Sequence, residues 1–413
     1  MNLAGYQTLN RGTTLFLTII KWVVYASCVG VLVGISTTVF LKALGWGINA
    51  TAGFPYFFLL MPFAFFASEL MVKYLAPEAR GHGTEQVIEA VHQRSGKIDH
   101  MVIPVKMAAT IITIAFGGSA GKEGPCAQIG AGISSAIADI FRLSDDVRKK
   151  LVICGISAGF SAVFGTPIAG AIFGIEVIYV GGLMYELLLA SFIAGIVSFH
   201  VSTSLGISYS YHYMGITPGF DALLFAKVIM AGIIFGALSI ALVKSLSYTE
   251  KIVKVLPVIR IPIKGLIGGS ILVLLALIFS TRYLGLGTGL IESSLQGGAI
   301  DWYAAHAKIL FTCATLCFGG SGGIITPIFV IGSTAGALMD AVLGTGLPIF
   351  AGIGLVSMLS GSAKTPIAAS IMAIELFGSG IGPYAAVACI ISFIVSGYRS
   401  VYPSQVFSLK RFL

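Results

Sequence analysis

Charge is what this sequence has least of. Charged residues make up 10% of the chain while 56% of it is hydrophobic. A soluble globule carries about 25% charged residues, so this chain cannot cover a water-facing surface and a soluble fold is excluded. Cysteine is sparse too. Cys28, Cys126, Cys154, Cys313, Cys317 and Cys389 all lie in apolar or small-residue stretches, which excludes a disulfide framework. Cys313 and Cys317 would share a helix face, but two thiols do not make a zinc site. A retained first span rather than a cleavable leader is expected at the start: the first apolar run, residues 13–41, far exceeds the roughly 7–15 residues of a signal-peptide core.

What is present is one long apolar segment after another. A bilayer crossing takes about 20 apolar residues, and runs of that character occur at 13–41, 55–72, 184–204, 226–243, 265–281, 304–318, 348–360 and 381–396. The composition predicts an all-α polytopic membrane protein, a single transmembrane domain over residues 1–413 in contact with lipid on most sides. The net charge of +8 points to membrane orientation rather than to nucleic acid. Lys and Arg gather at 141–150 and 244–264, expected as cytoplasmic loops by the positive-inside rule. With Arg11 and Lys21 flanking the first run, the N-terminus is expected in the cytoplasm. The sequence stops soon after its last apolar run, so no C-terminal regulatory domain is expected.

Glycine is abundant, 52 residues, and it interrupts the apolar runs in clusters. Residues 117–130, "GGSAGKEGPCAQIG", and 319–332, "GGSGGIITPIFVIG", agree at seven of fourteen positions. Farther along, "TPIAGAIFGIE" (166–176) answers "TPIAASIMAIE" (365–375), starting 49 and 46 residues after the respective leading glycines. Matched blocks at matched spacing predict a duplication, with approximate halves 13–204 and 221–402 related as an inverted repeat. Gly- and Pro-interrupted helices at corresponding places in both halves are the usual pointer to a transport site near the bilayer midplane. A helix that starts there offers unpaired N–H groups and a positive dipole end to an anion. Lys122 and Glu123 sit within the first of these blocks, and a charge at that depth costs at least about 2.5–3.5 kcal/mol, so a functional role is expected for it.

At these residues the sequence resembles the CLC family of chloride channels and proton-coupled chloride transporters, in its prokaryotic form. The resemblance runs in order along most of the chain. It is carried by "GKEGP" (121–125), "GGIITPIFVIG" (322–332), the two "TPIA" blocks and a late tyrosine, Tyr402. It implies broken, membrane-embedded helices in two inverted halves, and a homodimer with one pore per subunit in the cell (inner) membrane. Glu123 would be the gate, a carboxylate that occupies an anion position until it is protonated or displaced. The anion-binding set would be His82, Gly124, Ile324, Ile325 and Tyr402. Lys106 and Lys122 would raise the positive potential of the pore, and Glu176 is a candidate for the inner proton path. No cofactor is implied.

Two departures from the family pattern matter. The first motif, usually Gly-Ser-Gly-Ile-Pro, reads "GHGTE" (81–85), so His82 stands where a serine hydroxyl would donate to the anion and chloride is no longer assured. The second is Val177, at the position where many family transporters carry a second glutamate that relays protons. The resemblance therefore leaves two readings, proton-coupled exchange of a small chloride-like anion gated by Glu123, or a passive gated anion channel. A third reading comes from spacing alone. His82, Glu85, Glu89 and His92 fall on one face of a helix, as a membrane metal transporter or intramembrane metalloenzyme would need. "EAVH" (89–92) is the chain's single Glu-x-x-His, however, and carboxylate-bridged sites in helix bundles use two.

Overall fold

The computed structural model describes the backbone of residues 3–214, 221–255, 263–344 and 348–408, with side chains from Phe16 onward. Arg11 lies outside the described side chains, and 256–262 of the expected basic loop lie outside the described residues altogether. The described residues form α-helices joined by short turns. The first half contains α1 (Leu3–Ala52), α2 (Met61–Leu75), α3 (Thr84–Gln93), α4 (Val102–Ala115), α5 (Glu123–Ile140), α6 (Asp145–Phe164), α7 (Pro167–Glu176) and α8 (Tyr185–Ser204). The second contains α9 (Ala222–Val255), α10 (Ile263–Ile278), α11 (Thr288–Leu295), α12 (Ala304–Cys317), α13 (Ile325–Leu343), α14 (Ile349–Ala363), α15 (Pro366–Phe377) and α16 (Gly382–Val395). Two short strands, β1 (Tyr179–Val180) and β2 (Val406–Phe407), pair in parallel.

Each of the eight expected apolar runs falls on a helix. Among the described residues five helical segments are long and apolar enough to cross a bilayer, and α1 and α9 carry many exposed Leu, Ile, Val and Phe side chains, as a lipid-facing surface requires. The basic segments depart from expectation. Asp145 to Lys150 open α6 instead of lying in a loop, and 244–255 continue α9. Both "TPIA" blocks start helices, with Pro167 and Pro366 in the first turn, where the missing N–H costs nothing.

The helices that hydropathy passes over, α5 and α6, are deeply packed. Their Gly and Ser residues dilute the apolar signal but let backbones touch. A Cβ at Gly130 would collide with the carbonyl of Gly155, and one at Gly155 with that of Gly130. The same reciprocal contact joins Gly332 of α13 to Gly354 of α14. Without a hydrophobic drive between helices in lipid, small residues of this kind supply close packing.

The two halves are also stitched together by matching contacts. The Glu176 carboxylate accepts from the N–H groups of Ile367 (3.0 Å) and Ala368 (2.8 Å), the first turn of α15. Glu375 accepts from Ile168 (3.0 Å) and Ala169 (2.8 Å), the first turn of α7. Each helix start is thus capped by the carboxylate that ends its counterpart. The geometry is favourable because an N-terminus offers both unpaired donors and positive potential.

Candidate functional site

The glycine blocks meet at the centre of the protein. Gly121 and Gly323 exchange backbone hydrogen bonds (2.7 and 2.6 Å), a one-residue antiparallel bridge between the loops that precede α5 and α13. Hydroxyls hold those loops crosswise. Thr315 Oγ1 accepts from Ser119 N at 2.9 Å, and Thr113 Oγ1 accepts from Ser321 N at 3.0 Å. All four residues are buried, so an N–H deprived of its acceptor would stay unsatisfied, at a cost of about 1–3 kcal/mol. Thr113→Val and Thr315→Val should each lower stability by that amount in chemical unfolding, and Thr→Ser at the same sites should restore it. Valine variants as stable as the parent would rule out this clamp.

Glu123 is the first residue of α5 and is fully buried. Its side chain reaches across the bridge to the start of α13, where Oε2 accepts from Thr326 N (3.2 Å) and Oε1 from the Thr326 hydroxyl. A carboxylate therefore sits where a helix N-terminus would hold an anion. Ile324 and Ile325 are the cap and first residue of that helix, positions whose N–H groups have no partner within the helix. On one side Glu123 borders a cavity of about 280 Å³, lined among others by Lys122, His212, Thr288, Glu292 and Thr326. Lys122 is thus beside Glu123, at the cap position of α5.

On the other side of Glu123 lies the turn before α3. His82 and Gly83 pack backbone to backbone on Gly124: a Cβ at Gly124 would strike the His82 carbonyl, and one at Gly83 the carbonyl of Gly124. The His82 and Tyr402 rings are neighbours, 5.4 Å between centroids. His82 Nδ1 is buried without a hydrogen-bond partner among the described residues, and the Thr84 and Tyr402 hydroxyls lie within reach of each other beside it. Buried polar groups are nearly always paired, so an open imidazole nitrogen beside two hydroxyls suits a polar guest. The Tyr402 turn is firmly anchored. Val401 N donates to Ser362 O (2.9 Å), Ser404 to Glu85 Oε1 (2.6 Å from Oγ, 3.0 Å from N), and Gln405 Nε2 to the carbonyls of Val177 and Ala363 (both 2.9 Å).

Lys106 is buried and its ammonium donates to Ala79 O (3.0 Å) and Gly81 O (2.6 Å). It braces the turn that carries His82. Sequence reasoning missed its counterpart: Lys308, equally buried, donates to Tyr283 O (3.1 Å) and Gly285 O (3.0 Å). The braced turns form a further repeated block, "GHGT" (81–84) against "GLGT" (285–288), with left-handed Gly81, Gly83, Gly285 and Gly287 in register. Thr326 was missed as well, though the repeat held a clue, since it aligns with Gly124 of the first copy. The expected helix face of His82, Glu85, Glu89 and His92 does not form, since His82 lies in the turn before α3 and the other three do not converge. Glu85 bonds Ser404 and His92 bonds the Ile178 carbonyl, and no cluster of three His, Cys, Asp or Glu fit for a metal occurs among the described residues. The metal reading has no site to stand on.

Comparison with known proteins agrees with this geometry. Residues 63–397 match the family described as voltage gated chloride channel. A chloride/fluoride channel protein of Pseudomonas syringae pv. tomato is 32% identical over 394 residues, covering 94% of this chain and 86% of that one. An H(+)/Cl(-) exchange transporter of Cronobacter sakazakii is 26% identical over 388 residues, covering 85% of this chain and 81% of that one. Among solved structures, a CLC-type fluoride/proton antiporter superposes with a TM-score of 0.89 at 28% identity, covering 95% of this chain and 99% of that one.

Proposed function

Because this chain belongs to the voltage gated chloride channel (CLC) family, whose members carry anions across membranes, we propose that it exchanges a small halide for protons, with fluoride as the preferred anion. The observation that carries the reading is the Glu123 carboxylate bound by the N–H and hydroxyl of Thr326. A carboxylate held at a helix N-terminus competes with an anion for the same donors, and on leaving them it can take up a proton. One group thus links anion and proton movement.

Fluoride is favoured over chloride by the donors around the path. A smaller anion loses more on leaving water, and only direct, charge-assisted N–H and O–H bonds offset that loss. Here the unpartnered His82 Nδ1, with the Thr84 and Tyr402 hydroxyls next to it, stands beside Gly124 and the gate. The two relatives whose names mention fluoride lend support. We take the face bearing 141–150 as cytoplasmic, the cell (inner) membrane as the location, and a homodimer with one pore per subunit as the assembly. The second reading, a passive channel, draws on Val177, which is buried and cannot carry a proton.

Flux from proteoliposomes decides between them. Outward movement of fluoride is expected to drive protons inward against a pH gradient, faster than chloride does. Fluoride loss at constant pH would favour the channel. His82→Leu, which copies Leu286 of the other half, removes one donor to a charged ligand, worth about 1.5–3 kcal/mol. Fluoride affinity should fall about tenfold or more, as read by titration calorimetry; unchanged affinity would remove His82 from the site.

A further inference from the structure

Exchange through Glu123 requires a titratable group between it and the face bearing 141–150, and Val177 supplies none. Three buried or half-buried carboxylates of the first half are already engaged. Glu69 is ion-paired with Arg80, Glu78 with Arg94, and both oxygens of Glu176 are taken by the first turn of α15. Glu85 differs. Its Oε1 accepts from Ser404, while Oε2 is buried without a partner among the described residues.

Its position suits a relay. Glu85 is three residues after His82, whose carbonyl packs on Gly124, next to the gate. Toward the basic face, Glu89 follows one turn along α3, and both side chains are half-buried. Ser404, which holds Glu85, adjoins Gln405, which holds the Val177 carbonyl. Glu85 and Val177 are therefore neighbours across one turn of chain.

We propose that Glu85 is the proton relay on the cytoplasmic side of Glu123. Its Oε2 forms an O–H bond with a proton from cytoplasmic water and releases it through the space beside His82 and Tyr402 to the Glu123 carboxylate. One O–H bond breaks for each that forms, and Glu85 returns to its starting charge. The charged groups acting on this stretch are Glu89 on the same helix, Glu250 on α9, and Lys106 beside His82. The inference rests on the exchange reading above.

Glu85→Gln in proteoliposomes tests it. Fluoride flux should remain within about threefold of the parent while fluoride-driven proton uptake falls at least tenfold. Equal proton uptake in both proteins would overturn the role of Glu85 and leave exchange intact. A parent protein that moves no protons would instead overturn exchange itself. If Glu85→Gln does not yield folded protein, Ser404→Ala serves in its place. Losing the hydroxyl donor weakens the charged form of Glu85, so the pH profile of proton uptake should move toward alkaline pH with fluoride flux little changed. An unmoved profile would count against the relay.

Discussion

Glu123→Gln is expected to abolish proton transport. The amide oxygen can still accept from Thr326 N, so the side chain can keep its seat on α13, but it can no longer exchange a proton at neutral pH. Fluoride-driven alkalinisation or acidification of proteoliposomes should drop at least a hundredfold. Isothermal titration should meanwhile show tighter fluoride binding, because an uncharged amide competes less well than a carboxylate for the Thr326 donors. Proton uptake that survives this substitution would show that the gate is not the coupling group, and would move attention to Glu85 and Glu69.

The second large effect concerns the capped helix starts. Glu176→Ala leaves two N–H groups of α15 without their acceptor in a buried setting, a loss of about 3–5 kcal/mol when a buried charged partner is removed. Glu375 is half-buried, so Glu375→Ala should cost less, about 1.5–3 kcal/mol. Thermal unfolding in detergent should rank them parent, Glu375→Ala, Glu176→Ala, in falling stability. Glu176→Gln separates capping from proton carriage. As a cap it should lose stability while keeping its fluoride-to-proton ratio; a lost ratio at unchanged stability would restore Glu176 to the proton path.

Much of this arrangement was legible in the sequence, for reasons that differ by element. The apolar runs announced α1, α2, α8, α9, α10 and α16 because these turn apolar faces outward, and α12 and α14 because they are apolar though largely buried. Helices α5 and α6 were hidden because they face protein, where Gly130, Gly155 and Ser157 pack better than leucine. Glu123 was legible because a carboxylate in a glycine hinge at bilayer depth is too costly to keep unless it is used. Its partner Thr326 was not, since a threonine before a proline looks like any helix start. Lys308 lies 202 residues after Lys106, the offset that separates Gly117 from Gly319, so the repeat could have disclosed it. Glu176 was read through its family position as a proton carrier; only coordinates reveal that it caps α15, since its partners lie 191 and 192 residues away.

The crosswise contacts also bear on how the protein moves. Thr113 grips the second half and Thr315 the first; Glu176 and Glu375 do the same between α7 and α15. Rocking one half against the other would break these bonds together with the Gly121–Gly323 bridge, leaving buried donors and acceptors bare. Those bonds oppose such rocking, so turnover is expected to run through rotations of single side chains. Such rotations run in picoseconds to nanoseconds, whereas collective domain motions take microseconds to milliseconds. A disulfide locking the two halves together should accordingly leave transport running, whereas a wedge against the Glu123 side chain should stop it.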